Sequence, residues 1–195
     1  MAKDDKIHRA FVGIGVDDDT NAAINQELKI YKALLEADNS TPQPSEFRWL
    51  AVDMRHLTLA FLGEVSEQKL QRLADCLRDN LAVMVASELR LADLCGFPKG
   101  DRPLIIAAQG GLNPDLGMLR GRVLGCCQQS DIITNEAEKF LPHITLARFG
   151  KNLHSALPCL GIRMQLPLDH VAIYLSEQSP HGSHYTVHSR ISLMT

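Results

Sequence analysis

His56-Leu-Thr-Leu-Ala-Phe-Leu-Gly63 and His143-Ile-Thr-Leu-Ala-Arg-Phe-Gly150 are one eight-residue pattern written twice in a chain of 195 residues. Five of the eight positions are identical, and another exchanges leucine for isoleucine. Such self-similarity is the first organising signal to seek in a chain. Each copy reads as a strand that stops at its glycine. In a strand, residues two apart share a face, so His56 points with Thr58 and His143 with Thr145. Leu57 and Leu59, like Ile144 and Leu146, fall on the opposite face and enter a core. Ala60 and Ala147 continue the histidine face with little bulk and leave room for a ligand.

Working outward, His8 to Val16 reads as an opening strand. Asp17, Asp18, Asp19 and Thr20 supply helix-entry chemistry through side-chain capping and the positive end of the helix dipole. Ile24, Leu28, Tyr31, Leu34 and Leu35 recur at helical spacing to about Ala37. Asn39 to Ser45 is a loop with two prolines, and Phe47 to Leu50 a short strand. Arg55 to Leu62 is a stronger strand. Ser66 and Glu67, then Leu70, Leu73, Leu77 and Leu81, mark a second amphipathic helix. Val83 to Phe97 reads as extended, and Pro103 to Gln109 as a strand. Asn113 caps a third helix with Pro114 at its first position and Leu116, Leu119, Val123 and Leu124 as its stripe. His143 to Phe149 is a strand; Leu168 to Ser176 and His184 to Leu193 form a closing pair. The order is an α+β pattern rather than a clean βαβ series, and the architecture expected is two sheets backed by helices.

Formal charge is −3 and the sequence pI near 6.2. That argues against coating extended duplex, which rests on many phosphate neutralisations, but leaves room for gripping one nucleic-acid end. Cys76, Cys95, Cys126, Cys127 and Cys159 are odd in number and form no CxxC pair, the pattern of reduced thiols in a cytosolic protein. The N-terminus lacks the apolar stretch of a signal peptide, and no run approaches membrane-spanning length. The expectation is a soluble, cytoplasmic monomer.

Two strands that each present an imidazole and a hydroxyl toward one space would form a symmetric cleft. Opening a cyclic phosphodiester needs one neutral imidazole to take a proton from water and one imidazolium to protonate the departing oxygen. Histidine suits both roles, with an ordinary pKa of about 6.5. Threonine hydroxyls can donate to the non-bridging oxygens as charge builds there.

The pair of motifs resembles the 2H phosphoesterase superfamily, defined by two His-x-Thr/Ser-x motifs. More closely, it is similar to the RNA 2′,3′-cyclic phosphodiesterase branch, once described as 2′-5′ RNA ligases. Phe11 to Val16, Phe47-Arg48-Trp49, the segment 56–64 (HLTLAFLGE), the segment 141–148 (LPHITLAR), and Tyr174, Ser176, Gly182 and Tyr185 carry the likeness along the chain. It implies a single domain over 1–195 with two lobes. Each lobe would contribute one His-x-Thr strand to a central cleft with pseudo-twofold symmetry. It implies hydrolysis of a 2′,3′-cyclic phosphate end to a 2′-phosphate, with His56 as proton donor and His143 as acceptor. RNA or nucleotide cyclic-phosphate ends are the implied ligands, with no metal and no cofactor. The residues alone give the pair but leave the two roles exchangeable, and 2′-5′ ligation, another cyclic-phosphate substrate or end binding without turnover stay open. Ala51-Val52-Asp53-Met54 departs from the prolines and asparagine common before motif one, which touches substrate preference more than chemistry.

Phe61 and Arg148 hold equivalent positions in the two copies, and the resemblance suggests base stacking for Phe61 and a phosphate contact for Arg148. Strict alternation puts both on the face opposite the histidines, so either the strands twist or bulge there or the carry-over fails. Arg48, Arg55, Lys99, Arg102, Arg148 and Lys151 read either as ordinary solvated surface or as a rim steering an anionic RNA end. His181, His184 and His188 read as a solvated turn and strand rather than a metal site, since no further ligands complete a set. His154 and His170 read as surface or structural, Cys126 and Cys127 as packing, and Trp49 as core.

Overall fold

The computed structural model describes residues 6–38, 40–134, 139–149, 156–179 and 182–195. Elements run β1 (Ile7–Gly15), α1 (Asp18–Ala37), β2 (Phe47–Trp49), β3 (His56–Ser66), α2 (Glu67–Leu81), β4 (Ser87–Phe97), β5 (Ile105–Gly110), α3 (Pro114–Gln129), β6 (His143–Phe149), β7 (Leu160–Leu168), β8 (His170–Ser179) and β9 (Gly182–Ser192). The helices start where their caps place them. Asp17 accepts from the amide of Thr20, Ser66 from that of Lys69 and Asn113 from that of Leu116, each satisfying an amide left without a helical partner.

The strands follow the order β7-β4-β5-β6-β3-β1-β8-β9, with β2 beside β6, and every pairing between them is antiparallel. Two half-sheets are apparent within this curled sheet, because β3 and β6 meet through a single residue pair, Leu57 with Ile144. The expected two sheets are therefore joined at the two motif strands. α2 and α3 pack on each other and on β3, and α2 also reaches β9, whereas α1 packs on β7. Leu57, Ile144, Leu59 and Leu146 are all essentially buried in the core between sheet and helices.

Four expectations need correction. Leu34 is 40% exposed, because the stripe of α1 that meets the sheet runs through Asn21, Ile24, Leu28, Tyr31 and Leu35. β7 is a strand where none is expected, and Ile162, Met164, Leu166 and Leu168 alternate inward along it. β3 does not stop at Gly63 but continues to Ser66. Gly63 takes a φ of +69° beside Leu62, an extra residue on β3 between the pairs Ala10–Gly63 and Phe11–Phe61. A glycine accommodates that backbone where a side chain would strain it. The fourth correction, Ala60 and Ala147, belongs to the site. Gly150, Lys151, His154 and His181 lie outside the described residues. Cys126 and Cys127 are buried, and Trp49 packs against the core edge with its indole N–H donating to the carbonyl of Pro44. No helix among the described residues is long and apolar enough to cross a membrane.

Candidate active site

The first half-sheet contributes β3 and the second β6, so the two motifs lie on neighbouring strands. Between them opens a cleft of about 550 Å³ lined by His56, Thr58, His143, Thr145, Phe61 and Arg148, among others. The six motif residues expected at the site are thus brought together.

The two imidazoles are held identically. The ring Nδ1 of His56 is 2.9 Å from the carbonyl oxygen of Met54, and that of His143 is 2.8 Å from the carbonyl of Leu141. A carbonyl only accepts, so each Nδ1 carries a hydrogen and donates it. Each Nε2 is therefore the proton-exchanging nitrogen, a tautomer fixed by the backbone two residues upstream.

Aromatic rings brace both. Phe97 stacks on His143 with centroids 4.2 Å apart, and Phe11 lies against His56 at 4.5 Å. Tyr185 adds an edge contact to His56 at 5.1 Å. Burial is the main reason both imidazoles are harder to protonate than usual, pushing His56 down to about 4. The Met54 and Leu141 carbonyls oppose the shifts, while the charge of Arg148 adds to both. His56 also feels His143. In the free protein at neutral pH His56 is therefore a free base.

Matching bulges return Phe61 and Arg148 to the cleft. On β3, Thr58 pairs with Gly13 and Ala60 with Val12, leaving Leu59 as an extra residue. On β6, Thr145 pairs with Ala107 and Ala147 with Ile106, leaving Leu146 extra. One extra residue flips the alternation beyond it. Ala60 and Ala147 consequently turn into the core, at 2% and 0% exposure, rather than continuing the histidine face. Phe61, 62% exposed, and Arg148 then face the cleft. The Leu59 carbonyl accepts from Arg120 Nε on α3 at 3.1 Å, and the Leu146 carbonyl from the Leu50 amide at 2.8 Å. The bulges are thus satisfied, as buried backbone requires.

Of the basic residues read as a possible rim, only Arg148 lines the cleft among those described. Arg55 is 6% exposed, and its guanidinium donates to the side-chain oxygens of Asn21 and Asn25 on α1. It ties the start of β3, and so His56, to that helix. Lys99 pairs with Asp93, and Arg48 and Arg102 are exposed outside the cleft. His170 is structural: its Nε2 accepts from the Gly15 amide while Nδ1 donates to Asp169. His188 pairs with Glu67, not with His184. Residues missed by sequence reasoning include Phe97, Arg120, Arg9, Gln178 and Ser183. A cation at the entry to the first strand, Arg9, was the one with a readable signal.

The sequence model of the LigT like Phosphoesterase family matches residues 20–106. An RNA 2′,3′-cyclic phosphodiesterase of Thermus thermophilus is 29% identical over 173 residues, covering 85% of each chain. Over residues 20–106 the chain is similar to the LigT-like phosphoesterases. An enzyme of the same name from Aeropyrum pernix is 34% identical over 113 residues, 54% of this chain and 60% of that one. Among solved structures, E. coli LigT complexed with 3′-AMP superposes with a TM-score of 0.74 at 22% identity, covering 97% of this chain and all of LigT. The T. thermophilus protein TT0787 superposes at 0.76 with 23% identity, over 95% of this chain and 97% of that one. The chain shares their curled antiparallel sheet.

Proposed function

We propose that this LigT-like protein hydrolyses a terminal RNA 2′,3′-cyclic phosphate to a 2′-phosphate, using His56 and His143 as a general acid–base pair. The observation that carries the reading is the matched anchoring of the two rings by Met54 and Leu141, which leaves two Nε2 atoms serving one cleft. The names of the two curated relatives point the same way.

Neutral His143 takes a proton from water through Nε2 as the water oxygen bonds to phosphorus. The bond from phosphorus to the 3′ oxygen breaks, and the His56 imidazolium gives its Nε2 proton to that oxygen. The products are a 2′-phosphate and a 3′-hydroxyl, and the proton gained by His143 replaces the one His56 lost once they exchange with solvent. Thr58 and Thr145 donate to the non-bridging oxygens, and Arg148 balances their charge. His56 resists protonation in the free protein, so the phosphate anion itself supplies the opposite charge that favours its imidazolium. Each proton transfer contributes a factor of roughly 10²–10⁴.

The test is incubation of the protein in EDTA with a cyclic-phosphate-ended oligonucleotide. A 2′-phosphate end, absent with His56→Ala and with His143→Ala while both remain folded, is the expected result. Full turnover by either variant would overturn the pair.

A further inference from the structure

The cleft extends past the histidines along β1, and that extension has its own chemistry. Arg9 lines it, as do Ser176 and Gln178 of β8 and Ser183 and Tyr185 of β9. Among the described residues no aspartate or glutamate lines the cleft, although the chain as a whole carries −3. Arg9 is exposed and takes part in no ion pair among the described residues. Glu64, its ladder partner on β3, lines a separate hollow with Ser66 and Lys69.

Sheet register sets the order of these groups. Ala10 pairs with Leu175, which puts Arg9 beside Ser176, and Ser176 pairs with Tyr185. Two residues further along β8, Gln178 pairs with Ser183, and their side chains are hydrogen-bonded at 3.0 Å. Phe11, whose ring touches His56, is two residues from Arg9 on the same face of β1, roughly 7 Å along the strand. That displacement is comparable to the step between neighbouring phosphates of a single strand. A mononucleoside cyclic phosphate with a free 5′-hydroxyl would leave this extension unfilled.

We propose that Arg9, with Ser176 beside it, binds the phosphate on the 5′ oxygen of the terminal nucleoside, so that the enzyme selects ends that carry one. This rests on the reading of the histidine pair above. The phosphate is either the linkage to the preceding nucleotide or a 5′-monophosphate. The guanidinium supplies a charge-assisted, two-pronged donor, and the neutral hydroxyls beside it accommodate strand without reading sequence.

The experiment compares kcat/KM for three substrates in the full-length protein: a nucleoside 2′,3′-cyclic phosphate with a 5′-hydroxyl, the same with a 5′-phosphate, and a dinucleotide with a cyclic-phosphate end. Wild type should prefer the last two. In Arg9→Ala that preference should shrink about tenfold, the worth of one charge-assisted contact, and Arg9→Lys should recover part of it. The dependence of log kcat/KM on log salt for the dinucleotide should also flatten by about 0.7. Loss of preference for the dinucleotide alone assigns the site to the internal linkage; loss for both assigns it to any 5′-phosphate. An unchanged ratio in Arg9→Ala overturns the proposal while leaving the histidine reading intact. A wild type that turns over none of the three overturns the histidine reading itself.

Discussion

Arg120 on α3 donates through Nε to the carbonyl of Leu59, the extra residue that turns Phe61 toward the cleft. A helix on the far side of the sheet thereby sets the aim of a ring in the site. The second motif solves the same problem with a backbone amide, that of Leu50. Arg120→Ala leaves the Leu59 carbonyl buried without this donor, a loss of about 1–3 kcal/mol in denaturant unfolding. Phe61 should lose its fixed position, so KM for a nucleotide substrate should rise more than kcat falls, with Arg120→Lys in between. A stability loss with KM unmoved would show that the bulge keeps its shape without Arg120.

Phe97 stacked on His143 both orients the imidazole and excludes water from one of its faces. Burial is the leading cause of the low pKa of His143, so thinning this contact should undo part of it. Phe97→Leu keeps apolar bulk but not the stack. The His143 resonance followed by NMR titration should move toward the ordinary histidine range, and kcat should fall about tenfold as the ring gains freedom. A titration identical to wild type would assign the desolvation to other neighbours.

Arg148 disfavours the imidazolium of both histidines through its charge. Removing it raises both pKa values, so each ring binds its proton at a higher pH. The pH profile of kcat/KM, which reports the free enzyme, should move to higher pH in Arg148→Ala. Its height should fall by roughly 10²-fold from the lost phosphate contact. A lower profile at the wild-type position would leave Arg148 as a binding group without influence on the pair.

These couplings separate what sequence could say from what it could not. Asp17, Ser66 and Asn113 announce their helices because a capping side chain acts within three residues. The duplicated motif announces both motif strands for a similarly local reason. The bulges at Leu59 and Leu146 carry no such mark, since any leucine can sit in a regular ladder, and so the true aim of Phe61 and Arg148 was undecidable by alternation. Arg55 read as a surface cation because nothing nearby in sequence shows that Asn21 and Asn25 of a packed helix receive it. Phe97 reaches His143 only through the pairing of β4 with β5 and β5 with β6. β7 alternates apolar and polar from Ile162 to Leu168, but Gly161 and Pro167, both poor strand formers, masked that signal.

The depressed pKa of His56 also makes stability depend on pH. Its folded value of about 4 lies below the ordinary 6.5, so between those limits the unfolded chain binds a proton that the native ring refuses. Stability is therefore full above about pH 6.5 and is lost as pH falls toward 4, by at most roughly 3 kcal/mol from this group. His143 acts in the same direction. In His56→Gln the linkage disappears, while the carboxylates common to both proteins cancel in the comparison. Urea unfolding of both proteins at pH 7, 6, 5 and 4 should show wild type losing stability relative to the variant as pH falls. A difference that stays flat across that range would mean His56 is solvated in the free protein, and a substrate phosphate would then not be needed to draw a proton onto it.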